Sequence, residues 1–223
     1  MKVSRIRDGL WRWEVPHPDG STVASVYAEY DEAIVLIDPL IPAETADQER
    51  FFAALDRDVS RLARPVLVLV GSVDHGRSAD TIAARYLAAG HEVAVVGDAA
   101  IRDAVSCALH ATFEDVVLPT GLHAVPISGL SPGERAFVLD PWRAVVFADA
   151  AIGAGEGRLR VAPPSWGVET PAGRALYDRV FRPSIQQIAS AQPEIVLPSH
   201  GEPVLTAGAS ALDQALAAPA WGE

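Results

Sequence analysis

Two imidazoles and two carboxylates stand directly behind apolar runs in this chain. Asp74 and His75 follow Val66-Leu67-Val68-Leu69-Val70, Asp149 follows Ala144-Val145-Val146-Phe147, and His200 follows Ile195-Val196-Leu197. Carboxylate oxygens and imidazole nitrogens are ligands for a divalent Zn, Fe or Mn ion. An Asp-His dipeptide by itself is most often a solvated turn, so the expectation of a site rests on all four residues meeting. Ser72, Asp149 and His200 also occur in the chain order of a serine hydrolase. The sharp elbow that exposes such a serine needs small residues on either side, however, and Val70 and Asp74 occupy those positions. Cys107 lies in an alanine-rich apolar stretch and reads as a small buried hydrophobe rather than a nucleophile.

The apolar runs must bring these groups together. Each lacks polar alternation, the mark of a strand buried on both faces, so 66–70 and 195–198 are expected as interior strands. Behind the first run Ser78 offers a helix cap, and Ile82, Tyr86 and Leu87 recur on one helical face. Asp74 and His75 therefore fall between a strand's C-terminal end and a helix's N-terminus, where open α/β folds keep their sites. Residues 1–38 read as an antiparallel meander with a turn at His17-Pro18-Asp19-Gly20, closing on a buried strand that ends in Asp38. A helix carrying Phe51, Phe52, Leu55 and Val59 follows. After a helix over 79–89, the pattern predicts a strand over 92–96 and a helix over 99–111. A second set of short strands spans Leu122–Ile127, 135–139 and Ala144–Phe147. Residues 150–167, rich in Gly and Pro, read as a long surface excursion of the kind that forms lids. Thr170-Pro171 starts a helix that must kink at Pro183, and an alanine-rich helix ends the chain.

With 223 residues and 49% hydrophobic content, the chain suits one globular domain over 1–223. Its net charge of −11 is spread along the sequence and repels polyanions, which argues against nucleic acid and anionic membrane as partners. A single cysteine excludes an intramolecular disulfide, and no apolar signal core or membrane-length stretch is visible, so a cytoplasmic location is expected.

The segments LVLVGSVDHGRSA, VVFADA and IVLPSHGEP, together with VLIDP at residues 35–39, resemble the metallo-β-lactamase superfamily over nearly the whole chain. That resemblance implies an α/β fold, a four-layer αβ/βα sandwich of two mixed sheets flanked by helices. It also implies a site at the strand ends, where the family carries H-x-H-x-D-H, a later acid and a closing G-H-G loop. Against that pattern Val70 and Ser72 replace the first two histidines, and Leu130 replaces the histidine of the family's G-H-T-P-G loop. The first metal site is lost, while Asp74, His75, Asp149 and His200 match the second site with its bridging acid.

The expected centre accordingly holds one divalent ion at most, with Asp74 also as the catalytic group. Trp166, His17 and Arg77 are the candidate contacts to a small-molecule substrate. Family substrates range over lactams, thioesters, phosphodiesters and lactones, and the fold does not choose among them. The alternative is a metal-free, catalytically inactive binding or scaffold protein that keeps the old cleft.

Overall fold

Residues 1–17, 20–167 and 170–222 are described by the computed structural model. Pro18 and Asp19, at the tip of the first expected turn, lie outside the described residues. Strands β1 (Lys2–Arg7), β2 (Leu10–Pro16), β3 (Thr22–Glu29) and β4 (Ile34–Ile37) form the antiparallel meander. From β4 the pairing turns parallel through β5 (Val66–Leu69), β6 (Val93–Gly97) and β7 (Ala111–Thr112), completing a seven-stranded mixed sheet in sequential order. The change of sense follows from the helices between these strands, α1 (Thr45–Leu62) and α2 (Ala79–Ala88), because a parallel neighbour needs a crossover. A second, four-stranded sheet runs in the order β13 (Ile195–Pro198), β10 (Ala144–Phe147), β9 (Glu134–Leu139), β8 (Leu122–Ile127).

Three apolar layers separate four structural ones. Side chains alternate across each strand, so Val35, Ile37 and Leu69 of the first sheet meet Phe137, Leu139, Val146 and Leu197 of the second. The opposite faces carry Ile34, Leu36, Val66 and Val68, which pack on Phe51, Leu55 and Val59 of α1 and on Ile82 and Tyr86 of α2. In α1 the buried residues recur every fourth position, and each fully buried side chain of this size contributes about 1.5–3 kcal/mol. Beyond the second sheet, Val145, Phe147 and Val196 pack on α4 (Arg182–Ser190) and α5 (Gly208–Ala217) through Ile185, Ile188, Leu212 and Ala215. The chain is thus the expected αβ/βα sandwich.

Val66–Leu69 is an interior strand, as its composition requires. Ile195–Pro198 is fully buried but stands at the end of its sheet. Its outer edge is closed instead by a bridge in which Val196 and Val204 exchange both backbone hydrogen bonds at 2.8 and 2.9 Å. Burial on both faces, which the sequence does show, is a different property from pairing on both edges.

Two other expectations fail. The helix over 99–111 is only a 3₁₀ turn, Ala99–Ile101, followed by turns. Its buried residues, Ile101, Cys107 and Leu109, do not recur at helical spacing, and His110 leaves to bond Val95 with its N–H at 2.9 Å. The excursion over 150–167 is largely buried: β11 (Ala151–Gly153) pairs with β12 (Leu159–Val161), and both pack under α5. The small residues there serve close packing rather than irregular surface. The Pro183 kink is present as a π turn, Tyr177–Phe181, between α3 (Pro171–Leu176) and α4. Thr170 caps α3 through a bond accepted from the Gly173 N–H at 3.1 Å. Among the described residues no helix is long and apolar enough to cross a membrane.

Candidate metal centre

After β5 the backbone makes a 3₁₀ turn over Val73–His75, and successive residues of so tight a turn point in different directions. Asp74 turns out to solvent, while His75 turns inward and is buried. Asp38 receives it. One carboxylate oxygen of Asp38 accepts from His75 Nδ1 at 2.7 Å and the other from the Gly71 N–H, also at 2.7 Å. Asp38 itself adopts a left-handed φ of +49°, a strain of order 1–3 kcal/mol that sites tolerate when their surroundings fix it. The Ser25 hydroxyl and Arg77 Nη1 both donate to the Asp38 carbonyl, at 2.7 and 3.0 Å, and supply that fixing.

With Nδ1 committed to a carboxylate, Nε2 of His75 faces the second sheet, where it lies 3.2 Å from Asp149 Oδ1. His200 Nε2 approaches the same oxygen at 3.3 Å. One ligand atom from each of His75, Asp149 and His200 lies within 4.8 Å of the others. A carboxylate behind an imidazole is the arrangement that orients histidine towards a metal, and two nitrogens with one oxygen are a fitting donor set for a divalent ion. The three residues could therefore hold one.

Electrostatics bind the group further. Burial works against a charged His75, but the Asp38 and Asp149 carboxylates outweigh it and lift the ring's pKa to about 9. Burial would raise the Asp149 carboxyl, yet His75 and His200 hold it well below the usual carboxylate range. Arg77, at a left-handed φ of +37°, folds back over the site. Its Nη1 bonds the Asp38 and Ala24 carbonyls, and its Nη2 stands 3.0 Å from His75 Nε2.

His200 is placed by backbone contacts from both directions. Its carbonyl accepts from the Gly153 N–H at 2.8 Å, its residue bridges Val23 of β3, and Arg12 Nη2 donates to the Gly201 carbonyl at 2.6 Å. Gly153 and Gly201 pack backbone on backbone: a Cβ on Gly153 would lie 2.1 Å from the Glu202 carbonyl oxygen.

The structure brings together three of the four expected ligands. Asp74 lines the same pocket but stands outside the three-residue group, its side chain exposed. Trp166, His17 and Arg77 all line this cavity of about 680 Å³. Leu130 also lines it, whereas Val70 packs on the helix side of the first sheet. Ser72 is buried, its hydroxyl without a hydrogen-bond partner among the described residues, which excludes an exposed serine nucleophile.

Sequence reasoning missed Glu134. It is 1% exposed and lines the pocket. Its Oε1 accepts from the Asp149 and Ala150 N–H groups at 3.1 and 2.7 Å, which fixes the turn carrying Asp149, while Oε2 has no partner among the described residues. Burial and the charge of Asp149 raise its pKa to about 7, against the pull of those two N–H groups. The one sequence signal was an acid at the first position of a strand directly behind Pro132-Gly133.

Neither a family model nor a curated protein sequence matches the chain. Solved structures do match in three dimensions. A β-lactamase domain protein from Burkholderia ambifaria is 18% identical, with 96% of this chain and 75% of that one covered at a TM-score of 0.64. A metallo-β-lactamase from Hirschia baltica is 15% identical, with 97% and 96% covered, also at 0.64. A metallo-β-lactamase family protein from Thermus thermophilus is 15% identical, with 96% and 80% covered at 0.62. At these identities the likeness is one of fold, and this chain has the metallo-β-lactamase fold.

Proposed function

We propose that this protein is a divergent metallo-hydrolase of the metallo-β-lactamase fold that works with one divalent ion at most, on a small-molecule substrate. The observation that carries the reading is the meeting of His75, Asp149 and His200 within 4.8 Å at the wall of a cavity of about 680 Å³. These three residues would hold the ion, and Zn²⁺, Fe or Mn²⁺ each suits their nitrogen and oxygen donors. When bound, such an ion supplies Lewis acidity to the pocket. Asp38 keeps the Nδ1 proton of His75 in place and so presents Nε2 to the centre. Glu134 holds the Asp149 turn through two N–H bonds. Asp74, an exposed carboxylate on the pocket wall, would take or give a proton at a bound substrate. Trp166 and Leu130 supply apolar wall for the substrate body. With the first site's three histidines replaced, activity on ordinary substrates of the family should be weak.

A second reading, a metal-free binding protein, is favoured by one contact, that of Arg77 with His75 Nε2. Calorimetric titration of the purified chain with Zn²⁺ and with Mn²⁺, beside an Asp149→Ala control, separates the two. A stoichiometry near one that vanishes in the control supports the hydrolase reading. Two ions would overturn it, and no binding would leave the metal-free protein.

A further inference from the structure

The contact between Arg77 and His75 concerns a nitrogen with a single lone pair. Asp38 is an acceptor and holds Nδ1 as the protonated nitrogen, so Nε2 is the atom left for a metal. Yet Arg77 Nη2 stands 3.0 Å from Nε2. A divalent ion bonds an imidazole nitrogen at about 2.0–2.1 Å along the same lone pair, so the guanidinium N–H and the ion would crowd one direction.

Arg77 is not there by accident of a loose side chain. Two carbonyls, Asp38 at 3.0 Å and Ala24 at 3.3 Å, grip Nη1, and the backbone at Arg77 adopts a left-handed conformation that non-glycine residues rarely take. If Nε2 instead carries a proton donated to Asp149, Arg77 still places a fixed positive charge beside the ion's position. In either case it opposes the ion.

We propose that Arg77 is the resident cation of this site, an internal competitor that must swing away before a divalent ion can take His75. Ion and guanidinium take the space at His75 Nε2 in turn, never together. The inference rests on the one-ion reading above and adds what limits the ion's affinity.

The test is calorimetric titration of Zn²⁺ into the wild type, Arg77→Ala and Arg77→Gln, with circular dichroism to establish folding. The glutamine variant retains amide donors for the two carbonyls and carries the test if the alanine variant does not fold. Both variants should bind one ion roughly 10- to 100-fold more tightly than the wild type, the range over which groups behind metal ligands tune affinity. Equal or weaker binding by a folded variant overturns the competition and leaves the one-ion reading standing. Absence of binding in the wild type and in every folded variant overturns both.

Discussion

Replacing Glu134 by glutamine isolates the energetics of a buried carboxyl whose two oxygens have opposite fates. Oε1 accepts two backbone N–H bonds, and Oε2 has no partner among the described residues. Burial and the neighbouring Asp149 move the carboxyl from 4.5 to about 7 in the folded protein. That shift makes its ionised form about 3 kcal/mol less favourable folded than unfolded. A raised carboxyl pKa means that the unfolded chain gives up its proton first. The loss of stability therefore begins near pH 4.5, grows through neutrality and is complete somewhat above pH 7. Glutamine keeps the acceptor for Asp149 and Ala150 but cannot ionise. Relative to the wild type, Glu134→Gln should gain about 3 kcal/mol between pH 4.5 and pH 8, whatever fixed offset its unpaired amide introduces. Urea denaturation of the chelator-treated proteins at half-unit pH steps reads this difference directly. A stability difference that stays flat across that range would refute the assignment of a neutral buried acid at this position.

Gly153→Ala should destabilise the fold strongly, by more than the roughly 0.5–3 kcal/mol of an ordinary substitution. The added methyl meets backbone on Gly201–Glu202, and a thermal melt checks the loss. His75 Nδ1 and the Gly71 N–H bond different oxygens of Asp38, and Asp38→Asn turns one of those acceptors into an amide donor. Ion affinity by calorimetry should fall roughly 10- to 100-fold as the His75 tautomer is lost; an unchanged affinity would remove Asp38 from the site. The Cys107 thiol is buried, and burial first, then the charges of Asp80 and Asp38, push its pKa up to about 11. It should resist a thiol-specific disulfide reagent at pH 8 in native protein and react once unfolded.

Much of this architecture is legible because burial leaves a signature in composition. The runs ending at Leu69, Phe147 and Leu197 are apolar without alternation, and each forms a strand packed on both faces. The polar residues behind them therefore have to lie at strand ends, which is how His75, Asp149 and His200 can be found from spacing alone. Asp38 carries a usable signal too, as an acid closing a buried run. Asp74 and His75 look equivalent in sequence, but their directions in a 3₁₀ turn are not written in residue type. Glu134 is illegible because its partners are backbone groups fifteen and sixteen positions away, and any residue could supply those. Arg77 is visible as a neighbour of His75, yet its inward course depends on a left-handed backbone and two carbonyls from β3 and the segment after β4.

His75 comes from the first sheet, while Asp149 and His200 come from the second, and Arg12 of β2 reaches across to the loop that carries His200. Whatever bonds all three residues is therefore a rivet through the sandwich, added to the hydrogen bonds by which Arg12, Val23 and Ala24 already tie the first sheet to the His200 loop. Separating the three residues also breaks the contacts that Arg12 and Val23 make with the His200 loop, so the site does not open by itself. Occupancy should accordingly appear in full as resistance to global unfolding, and slow proteolysis would report on the rivet even where no turnover can be measured.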